Sequence, residues 1–453
     1  MELSGKKILV AGFGRSGRAA AEFLLERGAR VTMCDNNERL QVPREFTSRG
    51  MRVELGEFSI ATVTAQDMIV LSPGVPLMSR ALIEAQARGI PVISEIELAF
   101  RHISAPLIAV TGTNGKTTTT SLLGHLFEGA GLRVFVGGNI GIPLINAVAL
   151  DPQPDYVIAE ISSFQLETID TFRPHISVLL NITDDHLDRY ASFEQYRQAK
   201  AAICQNQTDK DFLIANLDDP ALQPILADAR ATVFGFSRRT APERGAFDDG
   251  HLRCVCPGRP SLSISTEKAG LIGSHNRENM LAAVAAAYLC DVPALAIQKA
   301  IENFRGLPHR MEPAGEINGI TYINDSKGTN VGACCSSLAG VNGRLVLIAG
   351  GLDKGGSYAP LIEPLRTKAR ALVLIGEAAG RMQAELHAHV AIVRAASLEE
   401  AVSAATRLAH PGDSVLLSPA CASFDMFDNY EHRGECFKTI VKKIQRTADS
   451  HAS

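Results

Sequence analysis

The sequence predicts an α/β protein of three closely joined domains. The first sign is length: 453 residues, against roughly 150 per domain. The second is a recurring alternation of continuous apolar strands and helical stretches, the pattern of parallel sheets buried on both faces. The third is punctuation: glycine-rich turns follow strands, with neither a short-period repeat nor a long low-complexity linker between them. Composition agrees. Hydrophobic residues make up 46% and charged residues 21%, values of a folded globular chain and not of a disordered, collagenous or coiled-coil one. The longest uncharged apolar run, 280–290, is too short to span a bilayer. No long apolar segment precedes Gly12, so the N-terminus reads as mature protein. Nine scattered cysteines, with Cys254 and Cys256 one residue apart, fit the reduced thiols of a cytoplasmic protein better than a disulfide framework or a zinc knuckle. A net charge of -4, no basic run and no tryptophan give no sign of a nucleic-acid surface.

The elements fall into three blocks, 1–97, 98–306 and 307–453. In the first, strands are expected at Lys7–Ala11, Arg30–Asp35 and Asp67–Leu71, with a helix over Arg18–Arg27. The second opens with a strand at Pro106–Val110 and a Gly/Thr loop, then a helix over Thr119–Ala130. Strands follow at Tyr156–Ala159 and Ile176–Leu180, and a helical stretch begins at Phe193. Gly306-Leu-Pro308 ends the block. The third repeats the rhythm at Ile320–Ile323, Leu345–Ala349, Ala371–Ile375 and Ser414–Leu417. In such sheets ligands sit beyond the C-terminal ends of the strands, and the unusual residues of this chain fall there.

Two glycine loops suit phosphates. Gly12-Phe-Gly14-Arg-Ser-Gly17 follows a strand and opens a helix, and Asp35 ends the next strand, near the offset of about 20 residues expected for a ribose-binding acid. Alone, this predicts a Rossmann-like dinucleotide domain. Thr111-Gly112-Thr113-Asn114-Gly115-Lys116-Thr117-Thr118 also links a strand to a helix. Its backbone amides can wrap phosphates, Lys116 can neutralise β/γ charge, and the Thr117 hydroxyl can meet Mg²⁺. It departs from the strict P-loop pattern because position 110 is Val. The central block is thus expected to be a P-loop ATPase-type parallel sheet, and the C-terminal block a second Rossmann-like domain. A hydride-transferring enzyme has no use for the second loop.

Acids and a histidine cluster at the same strand ends. Glu160 follows one strand directly; Asp184, Asp185, His186 and Asp188 follow the next. Carboxylates suit Mg²⁺ and an imidazole can complete its shell; solvated loop acids are the other reading for the three aspartates. Ser192–Gln195 has the S-x-x-Q pattern of a capping box, so a helix should start at Phe193. At 100° per residue Phe193, Tyr196, Lys200 and Ile203 share one face. Lys200 therefore lies on an apolar stripe, either snorkelling at its edge or desolvated with a nucleophilic neutral amine.

In this order, these motifs resemble the Mur ligase family of peptidoglycan synthesis, and its D-glutamate-adding members above all. The matching stretches are Thr111–Thr118, Gly137–Gly141, Glu160–Glu167, Asn181–Tyr190, Tyr196–Lys200, His275–Asn279, Leu307–Arg310, Asn324–Asn330 and Leu417–Ser423. The resemblance implies an ATP- and Mg²⁺-dependent ligase that joins D-glutamate to UDP-N-acetylmuramoyl-L-alanine, with roles in cell-wall biogenesis, cell shape and division. It implies UDP binding by the first domain, near Ser16, Asp35, Asn36 and Gly74. Lys116 and Thr117 would meet the ATP phosphates and one magnesium, and Glu160 that magnesium too. His186 and a carbamylated Lys200 would serve a second ion. Asn139 would contact the muramoyl part; Asn279, Arg310 and Asp325 would lie around the nucleotide; Lys327, Thr329, Lys354 and Ser423 would hold D-glutamate. Asp353, directly before Lys354, receives no role.

The chemistry this implies is activation of a carboxylate by the γ-phosphate of ATP, attack of an amine on the acyl phosphate, and loss of phosphate. The acyl phosphate must be shielded from water, so domain closure is expected. The sequence does not identify the base that deprotonates the D-glutamate amine. Other readings remain open at this level: an NAD-dependent oxidoreductase, which leaves Thr111–Thr118 idle; a non-catalytic nucleotide-binding regulator, which leaves Glu160, His186 and Lys200 without a purpose; and, nearest among enzymes, a sister ligase adding another amino acid or a folylpolyglutamate synthase.

Overall fold

The computed structural model describes residues 1–185, 189–271 and 273–452. Among them, three sheets carry all the regular strands. The first contains β1 (Lys7–Ala11), β2 (Arg30–Asp35), β3 (Arg52–Leu55), β4 (Met68–Leu71) and β5 (Val92–Ser94), in the order β3-β2-β1-β4-β5. All its pairings are parallel. The order reverses between β1 and β4, and this places the Gly12 loop beside Ser72-Pro73-Gly74 at a crevice suited to a ligand.

The second sheet contains β6 (Leu107–Thr111), β7 (Val134–Gly138), β8 (Tyr156–Glu160), β9 (Ile176–Leu179), β10 (Phe212–Asn216), β11 (Thr232–Ser237), β12 (Gly245–Asp248), β13 (His251–Cys256) and β14 (Arg259–Ser265). Its order is β14-β13-β12-β11-β10-β9-β6-β8-β7. β6 lies between β8 and β9, so the loop after β6 is flanked by Glu160 on one side and Asn181 on the other. The third sheet contains β15 (Glu312–Ile317), β16 (Ile320–Asn324), β17 (Leu345–Gly350), β18 (Ala369–Ile375), β19 (Ile392–Arg394) and β20 (Ser414–Leu417), ordered β15-β16-β20-β17-β18-β19. β20 sits between β16 and β17, and three loops therefore converge at one edge.

The expected parallel strands are present, with additions and shifts. The helices after the two glycine loops run over Arg15–Glu26 and Lys116–Gly129, beginning about a turn before the apolar periodicity does. Glycines cap both, and Gly115 takes a left-handed φ of +86°, open to glycine at little steric cost. The antiparallel hairpin β13–β14 was not expected; its turn carries Gly258 at φ +80°. Cys254 is buried on β13, and all nine cysteines are free thiols. No helix among the described residues is long and apolar enough to cross a membrane.

The chain divides into two compact units. One comprises Met1–Ile182, Glu194–Thr266 and Met280–Ala300 and carries the first two sheets; the other comprises Thr183–Phe193, Glu267–Asn279 and Ile301–Ser453 and carries the third. Within the first unit the two sheets share a core: Ile8, Val10 and Leu24 belong to the same buried cluster as Ile96, Leu107, Leu144 and Phe172. The helix Glu95–Phe100, which follows β5 directly, is the joint. In the second unit the strands alternate between two cores. Leu345, Leu347 and Ala349 face one, and Val346 and Ile348 the other, as the two-residue period of a strand requires.

Candidate active site

The loop Thr111–Thr118 is held from both flanks. The Thr113 amide donates to Asn181 O at 2.8 Å and the Asn114 amide to Asn181 Oδ1 at 2.8 Å. On the other side Thr111 Oγ1 donates to Ile161 O at 2.8 Å. Lys116 folds back over its own loop, its Nζ donating to Gly112 O at 2.7 Å and Thr113 O at 2.8 Å. Thr117 and Thr118 are buried at the helix start. The result is a rigid turn with a cation over it and a helix N-terminus behind it, a setting that favours phosphate.

Glu160 ends β8 in register with Val110 of β6. It is only 2% exposed. Its Oε1 accepts from Asn139 Nδ2 at 2.7 Å, while its Oε2 is buried with no hydrogen-bond partner. An orphaned carboxylate oxygen in a buried site is costly, and a hard cation is the partner that suits it. The residues present therefore fit Mg²⁺, with Thr117 at the start of the helix after the neighbouring strand β6.

Asn139 also faces the other way. It lines a cavity of about 440 Å³ together with Gly12, Gly14, Ser16, Asp35, Asn36, Ser72, Gly74 and Gln165. The structure thus brings together Ser16, Asp35, Asn36, Gly74 and Asn139, which the sequence had placed near one ligand. Asp35 is engaged more locally than a ribose-binding acid: Oδ2 accepts from the Phe13 amide at 2.7 Å and Oδ1 from the Asn37 amide at 2.9 Å, so the carboxylate fixes the walls of the cavity. Gly12, at φ +83°, has no room for a side chain, since a Cβ would lie 2.8 Å from Val75 Cγ2.

The helix Phe193–Ala201 starts where the capping pattern put it. Tyr196 and Lys200 are each 1% exposed and Ile203 is fully buried, so Lys200 does not snorkel. Its Nζ donates to Gly112 O at 2.9 Å and sits 4.7 Å from the centre of the Tyr196 ring. Tyr196 in turn places its hydroxyl 3.2 Å from Thr113 Oγ1. Asp184 is exposed; Asp185 is half-buried and accepts from Asn330 Nδ2 at 3.2 Å. His186 and Asp188 lie outside the described residues.

In the second unit the loops after β16, β17 and β20 carry Asp325, Lys327, Thr329, Lys354 and Ser423, while Asn279 lies on the helix Ser274–Leu289 and Arg310 precedes β15. Asp325 is buried: Oδ2 accepts from Ser337 Oγ at 2.6 Å and Ser418 Oγ at 2.7 Å, and Oδ1 from the Met311 amide at 3.3 Å. Burial raises its pKa, opposed by those hydroxyls and by the charge of Arg310. Its carboxylate is thus directed inward and anchors the loop bearing Lys327 and Thr329. Lys327 Nζ lies 5.2 Å from the centre of the Tyr430 ring. Ser423 is buried and Lys354 exposed. Asp353 is paired with Arg381 at 2.9 Å and accepts from the Tyr358 hydroxyl at 3.1 Å, a structural task for the acid the sequence left unassigned. Asn279 is buried and donates to Asn276 Oδ1 at 3.2 Å. Half-buried Arg310 lies near His275, whose pKa is pushed down to about 4 by burial and by that guanidinium.

Sequence reasoning missed two side chains. Gln165 lines the cavity, is 1% exposed, and has a buried Nε2 with no partner. Its signal was present: Ser162–Gln165 is a capping box, with both reciprocal bonds formed. Tyr196 was read only as part of an apolar face, and nothing local announces that its hydroxyl meets Thr113.

Comparison with known proteins bears on this geometry. Residues 6–94 match the Mur ligase MurD-like N-terminal domain, 110–287 the Mur ligase middle domain and 309–421 the Mur ligase glutamate ligase domain. A UDP-N-acetylmuramoylalanine–D-glutamate ligase of Geotalea daltonii is 46% identical over 447 residues, covering 98% of this chain and 99% of that protein. The protein of the same name from a Thermoanaerobacter species is 44% identical over 454 residues, covering 98% and 100%. Among solved structures, a pseudomurein peptide ligase type C of Methanothermus fervidus aligns with a TM-score of 0.61 at 20% identity, over 97% of this chain and 100% of that one. A UDP-N-acetylmuramate-alanine ligase of Thermotoga maritima aligns with a TM-score of 0.59 at 17% identity, over 98% and 100%; these two show the shared fold. The chain, three α/β domains with a phosphate loop in the second, belongs to the Mur ligase family.

Proposed function

We propose that this chain joins D-glutamate to UDP-N-acetylmuramoyl-L-alanine with ATP, releasing ADP and phosphate, as a step of peptidoglycan precursor synthesis. The relatives that align over nearly its whole length carry that activity in their names. One observation supports the reading from within the molecule. Asn139 lines the 440 Å³ cavity and bonds Glu160 beside the phosphate loop, so the cavity ends where an ATP γ-phosphate would lie. A nucleotide-linked substrate in that cavity has its far end at the phosphate donor. The domain limits that go with this reading are 1–97, 98–306 and 307–453.

The residues divide the work as follows. The amides of Thr111–Thr118 and the Lys116 ammonium hold the β- and γ-phosphates. Thr117 and Glu160 would hold Mg²⁺, whose contribution is neutralisation of phosphate charge. Ser16, Asp35, Asn36 and Gly74 border the diphosphate and uracil, and Asn139 orients the muramoyl end. The L-alanine carboxylate oxygen attacks the γ-phosphorus and ADP leaves. The D-glutamate amine, held with its carboxylates on Lys327, Thr329, Lys354 and Ser423, then attacks the acyl carbon, and the adduct expels phosphate, which carries off the carboxylate oxygen and the proton lost by the amine. Asn279 and Arg310 border the nucleotide, and Asp325 holds the loop of Lys327.

His186 and Lys200 would serve a second Mg²⁺, Lys200 as a carbamate. A neutral Lys200 amine can add CO₂ and lose a proton to give a carbamate anion. That exchange replaces a donor to Gly112 O by acceptor oxygens, so the group would turn from the carbonyl and present ligands that Mg²⁺ prefers. Phosphate release measured with UDP-N-acetylmuramoyl-L-alanine and each of D-glutamate, L-glutamate and L-alanine tests the function. Release with D-glutamate alone is expected; equal release with another amino acid, or none with D-glutamate, contradicts it.

A further inference from the structure

We propose that Arg433 is a positioning residue for D-glutamate: its buried guanidinium fastens together the backbones of the loops that carry Lys327, Thr329, Lys354 and Ser423. This rests on the reading of those loops as the D-glutamate site.

Arg433 lies near the start of the helix Tyr430–Ala452 and is 1% exposed. Arginine is almost never fully buried unless paired, yet no carboxylate among the described residues is in ion-pair contact with it. Its donors go to main-chain and hydroxyl oxygens of two strand-end loops. Nε donates to Ser326 Oγ at 3.0 Å and Nη2 to Ser326 O at 2.9 Å. Nη1 donates to Ala422 O at 3.4 Å, and Nη2 reaches Cys421 O at 3.5 Å. Ser326 Oγ itself donates a hydrogen bond to Tyr430 O at 2.9 Å, back on the arginine's helix.

The third loop joins at the same point. The Leu352 amide also donates to Ala422 O, at 3.0 Å, in an isolated antiparallel bridge. One carbonyl is therefore shared by the loop after β17 and by Arg433. Gly351 permits this approach, because a Cβ there would strike Ala422 O and lie 3.3 Å from Arg433 Nη1. Each anchor is a near neighbour in sequence of an assigned residue: Ser326 precedes Lys327, Ala422 precedes Ser423, and Leu352 lies two before Lys354. The planar fork of one guanidinium spans what a single ammonium cannot. Burial pulls its pKa down to about 10, which leaves it charged at neutral pH, so the clamp also sets a positive charge behind loops that receive a dicarboxylate.

The test compares Arg433→Lys and Ser326→Ala with wild-type enzyme, measuring KM for each of the three substrates, kcat, and thermal unfolding. Ser326→Ala removes one anchoring hydroxyl and leaves the arginine in place, so it keeps the test decisive if Arg433→Lys does not fold. Expected is a rise in D-glutamate KM of about tenfold or more for Arg433→Lys and a smaller rise for Ser326→Ala, with KM for ATP and for the UDP substrate within about twofold. An unchanged D-glutamate KM in the folded variants overturns the proposal, as does a parallel rise of all three KM values. Wild-type enzyme with no D-glutamate-dependent turnover would overturn the functional reading and this inference with it. Wild-type turnover with unaltered D-glutamate KM in the variants overturns this inference alone.

Discussion

Replacing Glu97 by alanine should loosen the joint between the first two sheets. Its side chain is wholly buried on the helix Glu95–Phe100. The carboxylate accepts from the Asp170 amide at 3.0 Å, the Thr171 amide at 3.0 Å, the Thr171 hydroxyl at 2.6 Å, the Phe172 amide at 2.8 Å and Arg101 Nε at 2.7 Å. All of these donors except Arg101 belong to the chain entering β9, so one side chain from the first sheet's last helix holds the second sheet's approach. Alanine leaves three amides without an acceptor, at about 1–3 kcal/mol for each that water cannot reach. It also leaves Arg101 with Asp170 as its one ion-pair partner among the described residues. Three such amides give about 3–5 kcal/mol at the lower end of that range, and Arg101, partly exposed and still paired with Asp170, adds little. At about 2–4 °C per kcal/mol for a domain of this size, calorimetry should show melting of the first unit on the order of 10 °C lower. Salt should hardly change that difference, because screening acts on exposed charges. Burial alone would raise the Glu97 pKa, but the Thr171 hydroxyl, the Asp170 amide and Arg101 outweigh it and hold it below the ordinary value. A depressed carboxylate pKa stabilises fully above the unfolded pKa of about 4.3 and loses that effect as pH falls through the folded one, so the mutational penalty should shrink in acid. A loss below about 1 kcal/mol at neutral pH, the size of a surface pair, would refute the reasoning.

Other consequences are equally direct. Lys116→Ala should abolish ligation with the fold intact, since several kcal/mol of transition-state charge stabilisation is removed; near-normal turnover at saturating Mg-ATP contradicts the phosphate-loop role. Lys200→Ala should lose most activity and regain part with a short-chain carboxylate such as acetate; an intact-mass spectrum under CO₂ without the carbamate, together with no rescue, would falsify the carbamate reading. Glu95 is buried with Oε1 on the Ile145 amide at 2.7 Å and Oε2 unpartnered, and burial, opposed by the Ile145 and Leu144 amides, pushes its pKa up to about 7. The folded state then holds more protons than the unfolded between the two pKa values. Stability of the first unit should fall by up to about 3 kcal/mol as pH rises from 5 to 8; denaturant melts of Glu95→Gln should lack that slope, and a slope equal to wild type contradicts it.

What was legible in the sequence was whatever local pattern controls. Glu160 stood out because an apolar run led straight into it, and a strand end inside a sheet is buried. Lys200 stood out because helical periodicity alone places it with Tyr196 and Ile203. The glycine loops revealed themselves by following strands, and the cavity gathered Ser16 and Gly74 because the sheet order reverses between β1 and β4. What stayed hidden depends on distant contacts. Asp35 read as a ligand-facing acid, and it does line the cavity, but nothing in the pattern announced that its oxygens also accept from the Phe13 and Asn37 amides. Asp353 meets Arg381 across 28 residues, Glu97 meets amides more than 70 residues on, and Arg433 meets Ser326 across 107. No window along the chain contains both partners of such pairs. The early helix starts at Arg15 and Lys116 escaped for a different reason: glycine caps leave no apolar mark.

The most direct test of the account follows an oxygen atom. UDP-N-acetylmuramoyl-L-alanine labelled with ¹⁸O in the alanine carboxylate is incubated with ATP, Mg²⁺ and D-glutamate, and the released phosphate is examined by mass spectrometry. Activation as an acyl phosphate, followed by attack of the D-glutamate amine, transfers one labelled oxygen to each phosphate formed and leaves the other in the new amide. Unlabelled phosphate, or labelled phosphate released at the same rate without D-glutamate, would contradict it.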